Sequence, residues 1–186
     1  MKRTQEREPA AAAWPGPSAR HDAPWPVWPG GRVMIRRAAS TDHPALRDFL
    51  TGLSVRTRYL RFFAGALPAS PAMLQALAGG RDGVDALVAT RNGAIIGHAM
   101  ATDTTGPDGT AIAEIGVVVA DAWQGRGVGS GLLRALAGRA RARGATTLAM
   151  DVLAENQRVL AMIAARWPAA QHDPSAASVT VHARLD

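Results

Sequence analysis

Ala113-Glu114-Ile115-Gly116-Val117-Val118-Val119-Ala120-Asp121-Ala122-Trp123-Gln124-Gly125-Arg126-Gly127-Val128-Gly129-Ser130 is the stretch on which the reading of this chain turns. A β-branched apolar run enters a glycine-rich turn, and a helical pattern leaves it. Such a turn aims unpaired backbone N–H groups at one point, and the dipole of the helix behind it adds partial positive charge. Together they suit a pyrophosphate. Glycine at 125, 127 and 129 lets a ligand approach the main chain with no Cβ in the way.

The main rival is a dinucleotide fold, because the helix is followed by a strand ending in Asp151, about where a ribose-binding acid would stand. Three features oppose it. Gly125-x-Gly127-x-x-Ser130 lacks the third glycine, the turn after Val119 is long, and the chain ends at Asp186, too soon to finish the sheet. A phosphate loop of the Walker type fails because no lysine follows the glycines. A plain glycine-rich turn is the remaining structural alternative.

Outward from this stretch the patterning is mixed α/β. Val33 to Arg37 reads as a strand, and Thr41 or Asp42 can cap a helix through Leu46, Phe49, Leu50 and Leu53. Ser54 caps a second helix, in which Tyr59, Phe62 and Phe63 read as core packing, and a short helix follows near Met73 to Leu77. Asp85 to Thr90 and Ala94 to Thr102 form a hairpin about Arg91-Asn92-Gly93. Thr104 to Gly109 is a loop and Thr110 to Val119 the next strand. Ser130 to Arg143 is a helix burying Leu132, Leu133, Leu136 and Ala140, ended by Gly144. Ala145 to Val152 is a strand, Glu155 to Trp167 a helix stopped by Pro168, and Val179 to Leu185 the closing strand.

At 186 residues the chain suits one domain. Residues 1–31 are broken by Pro9, Pro15, Pro17, Pro24, Pro26 and Pro29 and read as a flexible Pro/Trp-rich tail, with residues 32–186 as the domain. Cysteine is absent, which excludes disulfides, thiolate metal sites and a cysteinyl acyl-enzyme. No secretory h-region follows Met1-Lys2-Arg3, and no apolar run approaches the ~20 residues that span a bilayer. A cytoplasmic protein is expected. The net charge of +6 is almost wholly arginine, since Lys2 is the only lysine. The excess suits a ligand with several phosphates. A nucleic-acid reading through Arg134, Arg139, Arg141 and Arg143 lacks a reading motif or a stacking platform. His98, His172 and His182 lack metal-ligand spacing, so no metal is expected.

Gln124-x-x-Gly127-x-Gly129 resembles the acyl-CoA-binding signature of the GCN5-related N-acetyltransferases (GNAT). The resemblance implies their fold over residues 33 to 186, a mixed, mostly antiparallel sheet flanked by helices. It further implies acetyl-CoA as donor, bound through Gln124, Gly125, Arg126, Gly127, Val128, Gly129 and Ser130 at the pyrophosphate. Main chain at Val117, Val118 and Val119 would pair with the pantetheine arm. Asp151 to Arg158 matches the family segment in which an asparagine, here Asn156, contacts the coenzyme; the other reading is that Asn156 starts a helix.

Acetyl transfer needs a neutral amine, whereas a lysine-like amine with pKa ~10.4 is protonated at pH 7. Glu114, in an otherwise apolar strand, is the candidate base, and partial desolvation there would raise its pKa. The alternative is that it pairs with an arginine. The resemblance favours the base, since bacterial protein-lysine acetyltransferases carry a glutamate at the matching place. Leu53-Ser54-Val55-Arg56-Thr57-Arg58-Tyr59-Leu60-Arg61-Phe62-Phe63 resembles a segment of the same enzymes, which lies beside the acceptor channel. Arg56, Arg58 and Arg61 could alternatively form a solvated face. The implied acceptor is a protein lysine, as on an acyl-CoA synthetase, reached by direct transfer in a ternary complex. A small amine acceptor, or an acyl-CoA-sensing module without catalysis, are the alternatives. Tyr59 is the only tyrosine and precedes the loop, so the family's tyrosine acid is not carried over.

Overall fold

A computed structural model describes residues 33–65, 69–79 and 81–185; the tail assigned to residues 1–31 lies outside them. The elements are β1 (Met34–Arg37), α1 (His43–Gly52), α2 (Val55–Phe62), α3 (Pro71–Leu77), β2 (Val84–Arg91), β3 (Ala94–Thr105), β4 (Ala111–Val119), α4 (Val128–Ala142), β5 (Thr147–Leu153), α5 (Gln157–Arg166), β6 (Gln171–Pro174) and β7 (Ser178–Arg184). They form a seven-stranded sheet in the order β1-β2-β3-β4-β5-β7-β6. Every neighbouring pair is antiparallel except β4 and β5. That pattern rules out a doubly wound dinucleotide fold, which needs a parallel sheet.

Alternation along β4 distributes its side chains between two cores. Ala113 and Ile115 join Leu132, Leu136, Ala140 and Ile163 on the face covered by α4 and α5. Val118 joins Leu46, Leu50, Leu74 and Leu77 on the face covered by α1 and α3. Glu114 and Gly116 share this second face. α4 is tied down at its C-terminal end by Asp85, a buried carboxylate on β2 that accepts from Arg139 at 2.6 Å and Arg143 at 2.7 Å. Arg143 also pairs with Asp103 at 2.9 Å. Two of the arginines considered for nucleic acid are therefore committed to ion pairs within the fold.

Several boundaries differ from the sequence pattern. α4 starts at Val128 rather than Ser130, because Gly127 already serves as its N-cap. β6 is not predicted by the pattern: Gln171-His172-Asp173-Pro174 is exposed throughout and carries no apolar alternation, and only pairing with β7 makes it a strand. Tyr59 and Phe63 are not core residues; they are 41% and 44% exposed, while Thr57 is the buried residue of α2. Arg58 is no solvated charge either, since it donates to the Leu53 carbonyl at 2.7 Å beyond the end of α1.

Candidate active site

β4 and β5 pair only through Ile112–Thr147, Ala113–Leu148 and Glu114–Ala149. Beyond that point β4 stays paired to β3 up to Val119, and β5 to β7 up to Leu153. The sheet thus opens as a wedge between residues 115–119 and 150–153, leaving main-chain polar groups on its inner edges without a strand partner. Glu114 stands at the vertex, in the last pair before the strands part.

The glycine loop closes the mouth of the wedge. Gly125 and Gly127 have φ of +75° and +83°, left-handed conformations that a Cβ would strain. They turn the chain so that α4 begins immediately. Its first i→i−4 bond runs from the Gly131 N–H to the Gly127 carbonyl at 2.9 Å. The N–H groups of Val128, Gly129 and Ser130 therefore precede the helical ladder and point out of its N-terminus. Backbone N–H groups and a helix dipole so arranged suit an anion.

The Gln124 side chain is engaged within the fold. Its side-chain amide donates to Thr57 Oγ1 and to the Val119 carbonyl, both at 3.1 Å. Asp121 continues the connection: its carboxylate accepts from Ser54 N–H at 3.0 Å, Ser54 Oγ at 2.7 Å and Thr57 Oγ1 at 2.7 Å. Burial opposes ionisation of Asp121, and these hydrogen bonds outweigh it, holding its pKa below the usual carboxylate range. The two sequence motifs are thereby one structure, with the N-terminus of α2 bolted to the turn that carries the glycines.

Two arginines for which the sequence suggested no role of their own in the site matter here. A Cβ on Gly125 would lie 2.6 Å from Arg158 Nη2, so that guanidinium rests directly against the loop. Arg158 is exposed and makes no ion pair among the described residues. Its position two residues after Asn156 is the only sequence signal it had. Asn156 is the N-cap of α5 and its side chain makes no capping bond. It follows directly from the open end of β5. Arg126 instead packs over Trp123, 5.2 Å from its centroid, and Arg91 packs on the same ring at 4.6 Å.

Arg61 lies on the other side of β4. A Cβ on Gly116 would fall on its guanidinium, so the missing side chain makes the room it occupies. Its Nε is buried without a hydrogen-bond partner, and burial pushes its pKa down to about 10, which leaves it charged at neutral pH. His98 belongs to the same face and is fully buried. Burial, aided by the charge of Arg61, pushes its pKa down to about 4 against the opposing effect of the Leu77 carbonyl. It is neutral.

Glu114 itself is exposed, so the expected partial desolvation is not found. It makes no ion pair with any arginine among the described residues. Residues paired across strands share a face. Ala149, partner of Glu114, also pairs with His182; Asp151 pairs with Thr180, and Thr180 with Asp173. Glu114, Asp151 and Asp173 therefore line one face of the splayed sheet, with Thr180 Oγ1 donating to Asp151 at 2.6 Å. Among the described residues no group of His, Asp and Glu could hold a metal, and no helix is long and apolar enough to cross a membrane.

A strand wedge facing a helix N-terminus can take an extended ligand with an anionic head, and the carboxylate at its vertex can accept a proton. A model of the acetyltransferase (GNAT) family matches residues 53–166. The GNAT domain of S. lividans PAT is 28% identical over 84% of this chain and 92% of that one, with a TM-score of 0.72. Two acetyltransferases solved with acetyl-CoA share the fold. The putative enzyme yncA from Salmonella typhimurium is 19% identical, covering 84% of this chain and 95% of its own, at a TM-score of 0.66. A GNAT superfamily phosphinothricin acetyltransferase from Sinorhizobium meliloti is 17% identical, covering 82% and 88%, at 0.67. The family model spans more than half of the chain, and the protein belongs to the GNAT acetyltransferase family of acyltransferases.

Proposed function

We propose that the protein transfers the acetyl group of acetyl-CoA to a lysine of another protein, with Glu114 as general base. The observation that carries this is the wedge between β4 and β5, with an anion site at its mouth and a carboxylate at its vertex. In this reading the amides of residues 125–130 and the Arg158 guanidinium hold the pyrophosphate. The pantetheine arm supplies the strand missing beside Val117, Val118 and Val119, and Asn156, the N-cap of α5, meets it. Gln124 contributes by holding the loop in shape. Residues 32–186 form the catalytic domain, preceded by the Pro/Trp-rich tail.

Glu114 takes a proton from the lysine ammonium, directly or through water. The freed nitrogen attacks the thioester carbon, the C–S bond breaks with its electron pair going to sulfur, and the second amine proton passes through solvent to the thiolate. Glu114, Asp151 and Asp173 give the acceptor face a negative character that draws in a cationic side chain.

A protein acceptor is favoured by the solvent side of α2. Val55, Tyr59 and Phe63 follow one another at helical spacing and are 63%, 41% and 44% exposed, on the side opposite Thr57 and Arg61. Such an exposed apolar stripe suits a macromolecular surface. A free amine needs only the carboxylates, and is the second reading.

The test compares a lysine-bearing acyl-CoA synthetase with lysine amide and spermidine, in wild type and in a Tyr59→Ser/Phe63→Ser variant. The protein acceptor should give the higher kcat/KM, and the variant should raise KM for it alone. Faster turnover of a small amine, with both acceptors unaffected by the variant, would reject the protein-lysine reading.

A further inference from the structure

Arg61 is a charged group that nothing in the fold explains. It forms no ion pair among the described residues, its Nε has no acceptor, and the aromatic contact it makes is with its own neighbour Phe62, 4.9 Å to the centroid. Arg61 is half-buried, and taking its Nε out of water without a partner or counter-charge is costly. A methionine of similar size would avoid that cost. Yet β4 has a glycine at 116, and a Cβ there would overlap the guanidinium.

The location gives the group a use. Gly116 lies two residues past Glu114 and directly before the valines proposed to pair with the pantetheine arm, beyond the last β4–β5 pair. A donor bound with its pyrophosphate at 125–130 and its arm along Val119 to Val117 brings its thioester to Gly116. Glu114 and Arg61 both occupy the face from which the amine must approach. Residues two apart on a strand are separated by about 6.8 Å. One such step separates the base at 114 from the guanidinium over 116.

We propose that Arg61 is a catalytic residue whose guanidinium donates a hydrogen bond to the acyl carbonyl oxygen of the bound thioester. This rests on the reading of acetyl-CoA in the β4–β5 wedge. As the amine nitrogen bonds to the carbonyl carbon, the π electrons move onto oxygen. The fixed cation stabilises that oxygen until the C=O bond re-forms and the thiolate departs with the C–S electron pair. Among the described residues no carboxylate is paired with the guanidinium, which leaves its charge available to the oxygen. The same charge disfavours an ammonium at this spot and so favours the neutral, nucleophilic amine.

The experiment measures binding of acetyl-CoA enriched with carbon-13 at the carbonyl, binding of S-ethyl-CoA, which lacks that oxygen, and turnover. On wild type the carbonyl resonance should move downfield, and acetyl-CoA should bind more tightly than S-ethyl-CoA. Arg61→Met should abolish both the shift and the preference, leave S-ethyl-CoA affinity unchanged, and lower kcat by about 10²–10³-fold. Arg61→Lys should restore part of each. Gly116→Ala keeps Arg61 but displaces its mobile end, and should reproduce Arg61→Met; it carries the test should Arg61→Met fail to fold. Acetyl-CoA bound to wild type without a downfield shift would overturn the role of Arg61 alone. So would a shift and a turnover that persist in Arg61→Met or Gly116→Ala. Failure of both S-ethyl-CoA and acetyl-CoA to bind would overturn the donor reading, and this proposal with it.

Discussion

Gly125→Ala puts two separable strains on the phosphate loop, and their sizes follow from geometry. The first is conformational. A φ of +75° is left-handed, which costs an L-residue about 1–2 kcal/mol. In a domain of this size that lowers Tm by about 2–8 °C. The second is local: the new Cβ would lie 2.6 Å from Arg158 Nη2, so the guanidinium must leave the loop. If that guanidinium holds a phosphate, losing one charge-assisted hydrogen bond costs about 1.5–3 kcal/mol, or about 10–150-fold in affinity. Arg158→Ala alone isolates the second effect. Because Arg158 is exposed and makes no ion pair among the described residues, its Tm should equal that of wild type. Calorimetric titration with acetyl-CoA and thermal melts on the two single variants and the double variant complete a cycle. We expect the losses in affinity to overlap, the double variant binding no worse than Gly125→Ala. An Arg158→Ala protein with wild-type affinity would refute the assignment, and so would fully additive losses.

Gly127→Val places a β-branched residue at φ +83°, where its Cβ enters open space rather than protein. It should lower stability by about 2 kcal/mol yet leave a folded protein without measurable acetyl-CoA binding; retained affinity would remove the loop from the donor site. His98 makes stability fall on the acid side. Its pKa is about 6.5 in the unfolded chain and about 4 when folded, so below pH 6.5 only the unfolded state takes up the proton. The loss grows as pH falls toward 4 and reaches about 2 kcal/mol at pH 5. His98→Gln can still donate to the Leu77 carbonyl but does not titrate, and its urea midpoint should fall less between pH 6.5 and pH 5. Parallel pH profiles would sink this account of His98.

The glycine loop was legible because its signal is local. Left-handed glycines, an apolar strand before them and a helix after them all lie within one stretch of chain, and the alternation of β4 fixed the face of Glu114. What the sequence concealed depends on contacts between distant residues. β6 is a strand only through β7, so no alternation betrays it. Tyr59 and Phe63 look like core by composition, but the sheet-facing side of α2 belongs to Thr57 and Arg61. Gln124 sits at a signature position, yet its amide reaches back to Thr57, far away in sequence. The isolation of Arg61 could not be read at all. An arginine among arginines on a helix gives no sign that the facing strand has a glycine to receive it.

The most direct test of the central claim is acceptor-dependent release of CoA from acetyl-CoA, measured with a lysine-bearing acyl-CoA synthetase for wild type and Glu114→Gln. The account predicts release by wild type that depends on the acceptor. In Glu114→Gln it should fall by about 10²–10⁴-fold with acetyl-CoA affinity unchanged. Equal release by the two proteins would contradict Glu114 as the base. Tight binding of acetyl-CoA with no release to any amine would contradict catalysis by this route.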